Sequence, residues 1–202
     1  MAPTLTTTLL ILLWSWCAEL VSCVSQSGVT TASPFIVNYL IAGLPQAPLG
    51  STHIILSFIE CATPTIPAAG DPAWLKYAVA EFAALTVPAR TTLLSLLHAH
   101  GTRLMASRGG AAARHSIYST YDARALGVRA AEYVIELGLD GLDVDLEGWG
   151  NDPRGYAFLK NATAGAFETF AAAASPALGP YTLSHAPEMP DFWRGTLYAV
   201  TI

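Results

Sequence analysis

From Phe35 onward, short apolar runs alternate with longer stretches in which apolar residues recur every three or four positions. Phe35 to Ile41 is a short apolar run closed by Gly43 and Pro45, and it predicts a buried strand. His53 to Ile59 predicts a second. Asp71-Pro72 then supplies an N-cap followed by proline at the first helical position, and predicts a helix to about Leu85, before Pro88. Thr91 to His100 predicts another helix, ended by Gly101. Arg103 to Ala106 reads as a third strand leading into Ser107-Arg108-Gly109-Gly110.

The clearest helical pattern follows: Leu126, Ala130, Tyr133, Val134 and Leu137 share one face, and Gly138 terminates it. Gly141 to Glu147 predicts a fourth strand, and Pro153 to Ala174 a further helix, broken by Pro176, Gly179 and Pro180. Tyr181 to Ala186 predicts a fifth strand, and Leu197 to Ile202 starts a sixth. Strands alternating with helices through short connections imply an α/β fold with parallel pairing and right-handed crossovers. An open doubly wound sheet and a (β/α)8 barrel both satisfy that pattern. The first strand is followed by no glycine-rich dinucleotide fingerprint, which weakens the nucleotide-binding version.

Composition narrows the ligand. The 202 residues suit one domain, and the 52% of apolar residues suffice for a real core. Only 12% of residues are charged, and a net charge of −5 without a Lys/Arg cluster offers no footprint for nucleic acid. A neutral ligand fits better than an anionic polymer.

Leu9 to Leu20 is apolar apart from Glu19 and too short to span a bilayer comfortably. Small and polar residues follow at Val21 to Ser25, so residues 1–25 are expected to be a signal peptide and the mature chain to be secreted, without stable membrane association. Met1 to Thr8 lacks the usual basic residues, and a membrane anchor, a different start or a lipoprotein box at Leu20-Val21-Ser22-Cys23 are the alternatives. Cleavage leaves Cys61 alone, a small buried apolar residue with no disulfide partner. Asn161-Ala162-Thr163 forms a glycosylation triplet inside a predicted helix.

The chemistry concentrates in Asp140-Gly141-Leu142-Asp143-Val144-Asp145-Leu146-Glu147. Strand alternation puts Asp143, Asp145 and Glu147 on one face and Leu142, Val144 and Leu146 on the other. Against flanking helices the apolar three pack outward, and the carboxylates project inward about 6.5 to 7 Å apart along the strand. Like charges so packed hold a proton on one carboxyl near neutral pH, which is what glycosidic cleavage asks of its general acid. Glu147 ends the strand, where barrel enzymes place catalytic groups. Spacing alone leaves three readings open: catalysis, a Mg²⁺ or Ca²⁺ site built of oxygen ligands, and a solvated strand face.

The eight residues Asp140 to Glu147 match, without a departure, the Asp-Gly-x-Asp-x-Asp-x-Glu signature of glycoside hydrolase family 18. Ser107-Arg108-Gly109-Gly110 resembles the Ser-x-Gly-Gly element at the end of that family's third strand. Leu183-Ser184-His185-Ala186-Pro187-Glu188 resembles its fifth-strand segment. The order and spacing are similar to those of the compact, single-domain chitinases from Phe35 to Ile202. The resemblance implies a (β/α)8 TIM barrel, incomplete, with about five to six βα units in a partial catalytic domain over residues 26–202.

It also implies a retaining, substrate-assisted mechanism with neither metal nor cofactor. Glu147 would protonate the glycosidic oxygen, and the substrate's own 2-acetamido oxygen would act as nucleophile. Asp145 would hold the acetamido N–H, and Asp143 would stand behind it, accepting hydrogen bonds from Ser107 and from Tyr39 on the first strand. Gly109 and Gly110 would let backbone pass close beside the sugar, or form an ordinary turn. Trp149 would offer an aromatic platform to a pyranose ring, or pack in its loop. Ser184-His185 is disfavoured as a nucleophile and base, because adjacent strand residues point to opposite faces.

The implied substrate is chitin or an N-acetylglucosamine-containing oligosaccharide, cleaved at β-1,4 linkages outside the cell. A non-catalytic chitinase-like sugar-binding protein and an endo-β-N-acetylglucosaminidase acting on N-glycans are the alternatives; an intact Glu147 favours an enzyme. A (β/α)8 barrel takes about 250 residues, and the family's sixth-strand Met-x-Tyr and eighth-strand Trp have no counterpart before Ile202. The chain is therefore expected to be a fragment or incomplete product of such an enzyme, poorly stable and weakly active or inactive by itself.

Overall fold

A computed structural model of the chain describes residues 35–47, 49–59, 74–110, 122–147, 152–174 and 180–186. Residues from Val37 onward belong to one compact unit. Its strands are β1 (Val37–Leu40), β2 (His53–Ile59), β3 (Arg103–Gly109), β4 (Gly141–Asp145) and β5 (Thr182–His185). Between them run α1 (Tyr77–Ala84) and α2 (Val87–His98) after β2, α3 (Ala123–Leu137) after β3, and α4 (Pro153–Ala173) after β4.

The sheet order is β1-β2-β3-β4-β5 and every pairing is parallel. A doubly wound sheet reverses its strand order at a switch point. Here each strand lies beside the one before it, as successive βα units of a barrel do.

The two faces of the sheet differ. Ile54 and Leu56 of β2, Leu104 and Ala106 of β3, and Leu142 and Val144 of β4 form one buried cluster with Val79 and Phe82 of α1, Leu126, Ala130 and Val134 of α3, and Phe158 and Phe170 of α4. Each such side chain removed from water stabilises the fold by about 1.5–3 kcal/mol, before the entropy of ordering it is counted. The opposite face carries the polar residues of the candidate site.

Local sequence signals account for most helix ends. Asp122 caps α3, its side chain accepting from the backbone N–H groups of Arg124 and Ala125, and Gly138 closes it in the left-handed conformation (φ +74°). Asp152 caps α4 ahead of Pro153. Thr86 caps α2, accepting from the Ala89 N–H.

Four expectations need correction. The helix after β2 begins at Tyr77 rather than at Asp71-Pro72, because Leu75 forms an antiparallel bridge to Ile59 and the Lys76 N–H bonds the Phe58 carbonyl. The next helix begins at Val87 rather than at Thr91 and ends at His98, since Pro88 fits the first turn, where its missing N–H costs nothing. β3 runs on to Gly109, because Ser107, Arg108 and Gly109 pair with Asp143, Val144 and Asp145; β4 in turn stops at Asp145, two residues before Glu147. Asp71-Pro72, Cys61, the 1–25 signal peptide and the sixth strand from Leu197 to Ile202 lie outside the described residues. Among the described residues, no helix is long and apolar enough to cross a membrane.

Candidate active site

Strand register sets the site. Ser57, Ser107, Asp143 and Ser184 stand side by side across β2, β3, β4 and β5. Barrel interiors are usually filled at such a level by branched apolar side chains; here the layer is three serines and an aspartate. Asp143 is 1% exposed. Its Oδ2 accepts the Ser107 hydroxyl at 3.0 Å and the Tyr39 hydroxyl at 2.8 Å, and its Oδ1 accepts the Ser184 hydroxyl at 2.6 Å. The Ser57 hydroxyl is buried and has no hydrogen-bond partner among the described residues.

The Tyr39 bond also reports the shape of the sheet. β1 and β4 are separated by β2 and β3, so in a flat sheet they would lie about 14 Å apart. A tyrosine and an aspartate cannot bridge that gap, and the sheet must curl so that its polar face is concave.

Tyr39 keeps 43% of its surface exposed, yet its hydroxyl end lies against Asp143. Its phenol is pushed far above the ordinary value, first by burial, then by the charge of Asp143 and the hydrogen bond to it, and then by the charges of Asp145 and Glu147. It therefore stays protonated, a permanent donor.

Asp145 is nearly buried, one layer above Asp143 toward the carboxyl end of β4 and in register with Gly109. The glycines after Ser107 let the backbones close in. A Cβ on Gly109 (φ +116°) would sit 1.9 Å from the Asp145 carbonyl oxygen, and that carbonyl accepts the Gly110 N–H at 2.7 Å. A Cβ on Gly110 would meet the ring of Phe58 at 2.7 Å. Both glycines therefore answer to protein neighbours on either side of β3. Glu147 is half-buried, two residues beyond the end of β4. Leu146 before it joins the helix-side core.

Among solved structures, the chain superposes on a GH18 chitinase from Pseudoalteromonas aurantia with a TM-score of 0.57 and 20% identity, over 81% of this chain and 59% of that one. The fold is that of the family 18 chitinases. A protein assigned as chitinase A of Streptomyces coelicolor (TM-score 0.49, 18% identity, 82% of this chain and 54% of that one) and a family GH18 chitinase from Chromobacterium violaceum (0.46, 18%, 78% and 40%) overlap more loosely. The chain thus spans about three fifths of the length of the Pseudoalteromonas chitinase. No protein-family model matches it, and no curated protein matches it in sequence.

Within this fold, Tyr39 and Ser107 meet Asp143 through hydrogen bonds, Asp145 follows on the same face of β4, and Gly109 and Gly110 bring β3 close to Asp145 and Phe58, with Glu147 just past the carboxyl end of β4. Trp149 lies outside the described residues. Ser184 and His185 do point apart: Ser184 faces Asp143, while His185 is in register with Val144 on the helix side. Among the described residues, no group of three or more His, Cys, Asp or Glu side chains is arranged to hold a metal ion.

Sequence reasoning missed two roles. Ser184 was legible only as a strand residue, because its partnership with Asp143 depends on the β4–β5 register. Asp140, the first residue of the acidic motif, serves the opposite end of the barrel: its carboxylate meets His98 Nε2 at 2.8 Å, Arg103 at 3.2 Å and the Leu104 N–H at 2.7 Å.

Proposed function

We propose that this chain carries the acid and supporting carboxylates of a chitinase-type family 18 glycoside hydrolase, acting on β-1,4-linked N-acetylglucosamine with retention of configuration. One observation carries the reading. A buried aspartate held by hydroxyls from three other strands lies beneath a second aspartate, with a glutamate at the carboxyl rim above both.

In this scheme Glu147 donates its proton to the glycosidic oxygen as the bond to C1 breaks. The carbonyl oxygen of the 2-acetamido group attacks C1 from the opposite face, and the positive charge spreads over an oxazolinium ring. Asp145 accepts the acetamido N–H and faces that charge. Asp143 lies beneath it, held by the hydroxyls of Tyr39, Ser107 and Ser184. Glu147 then takes a proton from the water that opens the ring. The reading extends to export by a signal peptide at residues 1–25, which N-terminal sequencing of the secreted protein checks.

The deciding experiment uses the full chain and its Glu147→Gln variant on a chito-oligosaccharide, with the de-N-acetylated oligosaccharide as control. Loss of the general acid lowers kcat by about 10²–10⁴-fold, and the control is not cleaved by either protein. Equal rates for parent and variant, or cleavage of the control, overturn the assignment. An N-glycan substrate in a parallel arm distinguishes polymer from glycan specificity.

A further inference from the structure

Ser184 belongs to no assignment made so far, yet its hydrogen bond to Asp143 is the shortest the carboxylate receives, 2.6 Å against 2.8 and 3.0 Å. That length falls in the range for a hydroxyl bound to an ionised carboxylate. Its position matters as much as its length. Tyr39 and Ser107 both donate to Oδ2, from the β1 and β3 side. Among the described residues, Ser184 alone engages Oδ1, from β5 on the other side. Turning about the Cβ–Cγ bond would carry Oδ2 away from both of its donors, so those two bonds already oppose it. A donor on the second oxygen, from the opposite strand, adds to that hold and fixes the plane.

We propose that Ser184 is a positioning residue of this site: by holding Oδ1 from β5, it locks the plane of Asp143 so that Oδ2 stays with Tyr39 and Ser107. The inference rests on the glycosidase reading for its functional consequence, but the contact itself does not. Asp145 sits one layer above in the same strand and senses the charge of Asp143 at a constant place only while that plane is held. A swivelled Asp143 would leave one buried oxygen without a donor, at the cost that attends any unpaired buried charge. Ser184 acts through Asp143 rather than on the sugar, so its removal lowers kcat and leaves KM near the parent value.

The test labels the full chain with ¹³C at aspartate carboxyl carbons and identifies the Asp143 resonance by its loss in Asp143→Asn. Ser184→Ala displaces that resonance, whereas Ser184→Thr, which keeps the hydroxyl, leaves it near the parent position. In turnover, Ser184→Ala reduces kcat roughly tenfold, as expected for one hydrogen bond to a charged group, and Ser184→Thr restores it. Near-ultraviolet circular dichroism checks that each variant is folded; if Ser184→Ala is not, Ser184→Cys, a far weaker donor of similar size, takes its place. An unmoved resonance in a folded Ala or Cys variant, or an equal displacement in Ser184→Thr, overturns the proposal. Absence of turnover in the parent leaves the Ser184 proposal standing, because the resonance still reports on Ser184.

Discussion

Asp140 and Asp143 lie three residues apart in one motif and are held in opposite ways. Asp140, at the amino end of β4, is bound by a guanidinium, an imidazole and a backbone N–H, and its Arg103 and His98 partners are both about half exposed. Asp143 is buried, and its hydrogen-bond partners among the described residues are three neutral hydroxyls. A cation beside a carboxylate cancels its field; a hydroxyl stabilises the anion and leaves its charge intact. The first arrangement ties α2, β3 and β4 together. The second keeps negative charge available at the place where the proposed reaction develops positive charge.

Exchanging the two aspartates for asparagine gives the sharpest contrast. Asp143→Asn is expected to lower kcat by at least about a hundredfold, as loss of a preorganised electrostatic group does. Asp140→Asn should change kcat only a few-fold while lowering stability by about 1–2 kcal/mol, since its ion pairs reach solvent. Chito-oligosaccharide kinetics and urea unfolding of both variants check this, and similar kinetic losses in the two would erase the distinction.

Gly109→Ala probes how Asp145 is held. The added methyl would lie 1.9 Å from the Asp145 carbonyl oxygen, on a residue with φ +116°. Strain and overpacking together should cost roughly 2–5 kcal/mol, with turnover falling further than in Asp140→Asn. A urea midpoint equal to the parent's would show that β3 and β4 are not so closely joined.

The smallest effect belongs to the Asp140 end. His53 is held down to about 4, by burial first and by Arg103 second, against an opposing pull from Asp140. The unfolded chain protonates this ring below about 6.5, whereas the folded chain resists until about 4. The unfolded state therefore binds more protons in that window, and stability declines as pH falls from 6.5 toward 4. The ring is only half-buried, so solvent screening reduces the loss to about 1 kcal/mol. His53→Gln should flatten this part of the stability–pH curve, and an unchanged slope would move the acid sensitivity elsewhere.

Much of the fold was legible because its signals are local. Apolar runs placed all five described strands, and Gly138 placed the end of α3 where the structure has it. The segment after β2 was misread because an N-cap-plus-proline signal at Asp71-Pro72 says nothing of the pairing between Leu75 and Ile59. In the site, the motif and strand alternation named Asp143 and Asp145 and the face they share. Ser184 and the clamp on Asp140 stayed hidden, because each depends on residues more than 35 positions away.

By itself, then, the sequence determined the order of the elements, the two faces of β4 and the candidate acid, all consequences of side-chain periodicity over a few residues. The resemblance already paired Asp143 with Ser107 and Tyr39; only the tertiary structure decided that the sheet curls and that Ser184 grips Asp143 from the side opposite Ser107. Register and curvature are set by the simultaneous packing of distant strands against one helical layer, and no local pattern specifies them.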